Sequence, residues 1–126
     1  MIKVFIAGAT GWVGTELTKR IVEENDLQLV GGLSRSRNGA DLAEILQLKR
    51  DPIPLFDTME HALDRVDFDV MIDFTKPEIA KDNVIAALNR GKRVVLGTSG
   101  LSDSDFKEIA KVAADNSTAI LAAGNF

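Results

Sequence analysis

Gly8-Ala9-Thr10-Gly11-Trp12-Val13-Gly14 decides the fold, because of what stands on either side of it. Before it, residues 2–7 form a short apolar run rich in β-branched side chains, the signature of a buried strand. After it, Val13, Leu17, Ile21 and Val22 recur at helical spacing. A G-x-x-G-x-x-G sequence that leaves a strand and opens a helix has a distinct mechanical reading. Gly8 permits the tight turn, Gly11 lets the backbone come close to a diphosphate, and Gly14 lets the helix pack closely on the strand. The free N–H groups and the positive end of the helix dipole then face the anion. Outside this context, three glycines would mark only an ordinary strand-to-helix turn.

Outward from the turn, the chain keeps alternating. Residues 27–33 read as a second strand, and residues 39–48 carry Leu42, Ile45 and Leu46 as a short helix. Pro52 and Pro54 break the chain, so a third strand between residues 40 and 55 is expected to be short or irregular. Asp57-Thr58-Met59-Glu60 reads as a capping box opening a helix to about Val66. Residues 70–74 read as a strand, and Thr75-Lys76-Pro77-Glu78 combines a capping box with an early proline. The helix so begun should bury Ala80, Val84, Ala87 and Leu88 and stop before Gly91. A strand over 93–96, a helix capped by Ser102 with Phe106, Ile109, Ala110 and Ala113 on one face, and a strand over 118–122 complete the series. Strands alternating with helices imply parallel pairing through right-handed crossovers. The expectation is an α/β Rossmann fold: a doubly wound, mainly parallel sheet of about six strands with helices on both faces.

The 126 residues, 45% of them hydrophobic, suit one domain, taken here as residues 1–126. A net charge of −4 argues against a nucleic-acid partner. The absence of cysteine excludes thiolate metal sites, disulfides and thiol nucleophiles, and no metal site or catalytic residue is assigned. No apolar run reaches the ~18 residues of a membrane helix, and the start does not read as a secretory signal. A cytoplasmic location is therefore expected.

Ligands of open α/β sheets bind beyond the carboxyl ends of the strands. At the second strand end, the place about 20 residues past the turn where an NAD site carries an acid is held by Ser34. Arg35-Ser36-Arg37 follow, and no carboxylate occurs over residues 27–40. Guanidinium groups suit a 2′-phosphate, so NADP(H) is favoured, with NAD(H) possible. Arg37 reads either as part of that grip or as a solvated basic loop. Three further strand ends carry small or polar residues: Asp73-Phe74-Thr75, Gly97-Thr98-Ser99-Gly100 and Ala123-Gly124-Asn125-Phe126. Asp73 reads as the cap of the following turn at least as readily as a catalytic group. Phe74 either lines a pocket or fills the core, and Trp12 either shields the diphosphate or packs against a second domain. His61 has no metal-spaced partner and reads as a surface or packing residue.

Taken together, these loops resemble the N-terminal domain of the dihydrodipicolinate reductase family, also called 4-hydroxy-tetrahydrodipicolinate reductase. The resemblance rests on Gly8 to Gly14, Ser34-Arg35, Asp73-Phe74-Thr75-Lys76-Pro77-Glu78, Gly97-Thr98-Ser99-Gly100 and Ala123-Gly124-Asn125-Phe126, in order along the whole chain. It implies hydride transfer from NADPH or NADH to a cyclic, unsaturated dicarboxylate of lysine and diaminopimelate biosynthesis. It places the diphosphate at Gly8, Ala9, Thr10, Gly11, Trp12 and Val13, and the adenosine ribose at Ser34 and Arg35. The nicotinamide would lie along Gly97, Thr98 and Ser99, flanked by Ala123, Gly124, Asn125 and Phe126. Trp12 stands where the family has arginine, Ser34 where it has an acid, Ser99 where it has threonine, and Gly124 where it has alanine or proline. The resemblance also implies a second domain with the substrate, proton-donor and tetramer residues, none of which is expected within this chain. Two other readings are an atypical short-chain-dehydrogenase-like protein, whose Tyr-x-x-x-Lys pair is missing here, and a non-catalytic cofactor-sensing module.

Overall fold

The computed structural model describes residues 1–122; the closing residues Ala123, Gly124, Asn125 and Phe126 lie outside them. The described elements run β1 (Ile2–Ala7), α1 (Trp12–Ile21), β2 (Leu27–Leu33), α2 (Leu42–Ile45), β3 (Leu55–Phe56) and α3 (Met59–Arg65). They continue with β4 (Val70–Asp73), α4 (Pro77–Asn89), β5 (Arg93–Leu96), α5 (Asp103–Asp115) and β6 (Ile120–Ala122). The strands form one sheet in the order β3-β2-β1-β4-β5-β6, and every named pair is parallel. The expected doubly wound Rossmann architecture is therefore present, with all described strands parallel rather than mainly so.

β1 shows why the sheet is covered on both faces. Its side chains alternate: Phe5 and Ala7 enter one apolar core, Val4 and Ile6 the other. The first core is closed by Met59 and Ala62 of α3, by Ala80, Val84, Ala87 and Leu88 of α4, and by Ile109 and Ala113 of α5. The second is closed by Ile21 of α1, by Leu42 and Ala43 of α2, and by Ile53. Sequential order reverses between β2 and β4 on either side of β1, which makes the carboxyl ends of β1 and β4 the switch point of the sheet.

Several sequence expectations need correction. Thr58, not Asp57, caps α3, accepting the His61 amide at 3.2 Å. Lys76 holds the cap position of α4 and makes no side-chain bond there; Pro77 at the helix start and Glu78 in the first turn supply the start signal. β4 stops at Asp73 and β6 begins at Ile120, while the Thr118 hydroxyl just before it donates to the Lys92 carbonyl at 2.8 Å. Ala110 is exposed rather than packed, and so is Val13. Ser102, by contrast, makes the full reciprocal capping box with Asp105.

Between β2 and β3 the chain is irregular, as the prolines imply. Asp41 organises it: one carboxylate oxygen accepts the Ala43 amide at 2.9 Å, capping α2, and the Ile53 amide at 2.8 Å. The same loop lies along the outer side of β3, where Leu55 donates to the Ala40 carbonyl and accepts from the Gly39 amide.

Candidate functional site

The turn after β1 sits at the switch point. Gly8 has φ +87°, and a Cβ on it would strike the Phe74 carbonyl. A Cβ on Gly14 would strike the Gly8 carbonyl. Both glycines are therefore required by the protein's own packing. Gly11 is different. Its φ is −74°, and a Cβ there would meet only the Gly8 carbonyl at 3.4 Å, an ordinary contact. The fold leaves room for a side chain at Gly11, so the room is free for something else.

Gly11 is also the N-cap of α1, and no side chain caps that helix. The first-turn amides of Trp12, Val13 and Gly14 thus have no acceptor within the helix, and the positive end of its dipole is unopposed by any acid in the first turn. The amides of Gly8 and Ala9 are turned inward to the Leu33 carbonyl, each at 3.1 Å, and the Gly11 amide reaches the Gly8 carbonyl at 3.1 Å. Ala9 itself is buried in the core.

Two cavities open on either side of this turn. The first, about 370 Å³, is lined by Gly8, Thr10, Ser34, Arg35, Phe74, Thr75 and Lys76 among others; Arg35 and Lys76 are its charged residues, and both are cations. Ser34 is only 5% exposed, and its hydroxyl is paired with that of Thr10 at 2.8 Å. Arg35 is exposed at the rim; Arg37 is exposed as well but does not line this cavity. The second cavity, about 580 Å³, is lined by Gly11, Trp12, Val13, Phe74, Thr75, Gly97, Thr98 and Ser99, none of them charged. Phe74 and Thr75 belong to both walls and divide the two. A Cβ on Gly97 would collide with the Phe74 ring, so that glycine makes the seat for the dividing aromatic.

What holds the divider is Asp73, fully buried at the end of β4. Its Oδ1 accepts from the Thr75 hydroxyl at 2.7 Å, the Thr98 hydroxyl at 2.8 Å and the Thr75 amide at 3.0 Å. The Thr75 amide also reaches the Thr98 hydroxyl at 2.9 Å, and the Asn83 side-chain amide lies 3.5 Å from Oδ2. Burial pushes the Asp73 carboxyl above its ordinary value, and the bonds from Thr75, Thr98 and Asn83 pull part of the way back. Asp73 is thus the cap foreseen in the sequence, but it caps two loops at once and joins the ends of β4 and β5. Thr75 and Lys76 were missed as wall residues; their place between Asp73 and the α4 proline was the available signal.

Among the described residues no group of acids and histidines could hold a metal ion, and no helix is long and apolar enough to cross a membrane.

Known proteins match this arrangement along the chain. Curated 4-hydroxy-tetrahydrodipicolinate reductases are 35% identical over 126 residues in Dictyoglomus turgidum and 36% over 131 residues in Synechococcus elongatus. They cover 100% and 99% of this chain, which in turn spans 46% and 48% of them, about half their length. The solved dihydrodipicolinate reductase of Paenisporosarcina sp. TG-14, with dipicolinate bound, superposes at a TM-score of 0.83 and 26% identity, over 99% of this chain and 48% of that one. The biliverdin reductase of Synechocystis, at a TM-score of 0.78 and 20% identity over 96% of this chain and 37% of that one, shares the fold alone. The family described as "Dihydrodipicolinate reductase, N-terminus" matches residues 2–126, and the chain belongs to it.

Proposed function

We propose that this chain holds the NAD(P)H of a 4-hydroxy-tetrahydrodipicolinate reductase, reducing a cyclic dicarboxylate intermediate of lysine and diaminopimelate biosynthesis. The observation that carries the reading is Gly11: a glycine whose Cβ the surrounding fold would accommodate, set beside uncapped helix amides and on the wall of the second cavity, in a turn whose Gly8 and Thr10 line the first. A dinucleotide fits these residues. Its diphosphate needs unpaired amides and close backbone approach, and its two nucleoside ends need a cavity each. Trp12, Val13 and Gly14 offer the amides, Arg35 and Lys76 the cations toward the adenosine phosphate, and Gly97, Thr98 and Ser99 the wall on the other side. Ala123, Gly124, Asn125 and Phe126 complete that side in this reading.

When bound, the nicotinamide supplies the hydride. The residues of this chain bind and orient it. Because no ionisable side chain lines the second cavity among the described residues, the reading takes the proton and the substrate contacts from a second domain of such reductases. Arg35 and Lys76, with no carboxylate in the first cavity, favour NADPH over NADH.

Calorimetric titration tests this. The chain should bind NADPH more tightly than NADH. Gly11→Ala should leave the fold intact, with a small fall in melting temperature because alanine is the poorer N-cap, and weaken NADPH about tenfold, since the added methyl meets chiefly the ligand. Equal affinities would remove the NADPH preference, and no binding of either nucleotide would overturn the assignment.

A further inference from the structure

Trp12 is the chain's sole tryptophan and is 84% exposed. Among the described residues it packs into neither core, standing at the first residue of α1. It is not isolated, however. It borders the uncharged cavity, with Val13 beside it and Gly97, Thr98 and Ser99 among the facing residues. The two cavities differ in a way that sorts the halves of a dinucleotide. One presents Arg35 and Lys76; the other presents apolar and hydroxyl groups with no charge. The phosphate-rich adenosine half is matched by the first, and a flat, neutral dihydronicotinamide by the second.

We infer that Trp12 is a binding residue for the nicotinamide half: its indole forms an aromatic wall against that ring, and it does not act on the diphosphate. The inference rests on the proposed cofactor reading and goes beyond it by assigning one side chain to one half of the ligand. An aromatic pair of this kind contributes through offset or edge contact beyond simple area burial. Where the family pattern has arginine, this chain replaces a charge with a face. The nicotinamide end is then held by ring contact, and the cations that line the two cavities, Arg35 and Lys76, lie at the adenosine end.

Two ligands separate the possibilities: NADPH and its nicotinamide-free counterpart, 2′-phospho-ADP-ribose. Both carry the diphosphate, and only the first carries the ring. Trp12→Ser should weaken NADPH about fivefold and leave 2′-phospho-ADP-ribose unchanged. Trp12→Phe should restore most of the loss. The indole emission gives an independent readout: NADPH should quench it with transfer to the dihydronicotinamide, while the nicotinamide-free ligand should not. Equal losses for both ligands, or none for NADPH, overturn the inference while the cofactor reading stands. Failure of the unsubstituted chain to bind either ligand overturns both.

Discussion

The two cavities share a divider and a glycine turn, yet one is basic and the other carries no charge. The difference follows from which strand ends supply them. The first takes its wall from the loop after β2, where the sequence runs Ser34-Arg35-Ser36-Arg37, and from Lys76. The second takes its wall from the loop after β5, Gly97-Thr98-Ser99, and from the exposed first turn of α1. A single sheet thereby offers two chemistries a few residues apart. Specificity for charge can be set on one side without disturbing the other.

Destroying the shared part should affect both sides at once, and this is the largest effect. Gly14→Ala would press a methyl into the Gly8 carbonyl, a backbone atom that cannot step aside. The expected cost is about 3 kcal/mol, read as a fall in melting temperature of roughly 10 °C, with NADPH and NADH binding both lost. Retained stability and retained binding would show that the turn is softer than its geometry indicates.

Arg35→Ala should sharpen the contrast by touching one cavity alone. NADPH affinity should fall about tenfold while NADH affinity stays within twofold, as measured by calorimetry. A matching loss for NADH would mean that Arg35 grips a part common to both nucleotides.

Asp73 gives the smallest effect, and one that depends on pH. Its carboxyl titrates above 3.8 in the fold, chiefly because it is buried. A raised value means that the folded state holds the proton more tightly than the unfolded chain does. The contribution is therefore full below pH 3.8 and is lost as pH rises through the raised folded value. Asp67 and Asp105 act oppositely: the Lys92 ammonium bonded to one, and the Ser102 amide bonded to the other, hold them below 3.8, so their contributions fade as pH falls through those lowered values. Asp73→Asn should cost about 1 kcal/mol at neutral pH and more at about pH 4, where the parent alone gains from the proton. Thermal melts across that window check the trend; a loss that shrinks on acidification would contradict it.

Local signals in the sequence carried most of this architecture. The strand, turn and helix around Gly8 and Gly14, the proline start of α4 and the Ser102 capping box each lie within a few adjacent residues, and each was legible. The elements between β2 and α3 were legible only in outline: the expected helix over 39–48 narrows to the single turn of α2, and the expected short strand to the two residues of β3. What holds that region is Asp41 reaching Ile53, a contact that no local periodicity records. The same limit applies to the site. Arg35 and the glycines could be placed from spacing. The pairing of Ser34 with Thr10, and the reach of Asp73 to Thr98, join residues far apart in the chain that only the closed sheet brings together. The inward turn of the Ala9 amide was hidden for the same reason.

The loop that runs beside β3 has a consequence for how copies of this protein meet. Parallel sheets end in rows of unsatisfied backbone groups, and such margins invite a strand from a neighbouring molecule. Here the outward N–H and C=O of Leu55 are already bonded to Ala40 and Gly39, and prolines at 52 and 54 interrupt the approach. The chain covers its β3 margin with its own backbone, which disfavours the addition of a neighbouring strand along that side.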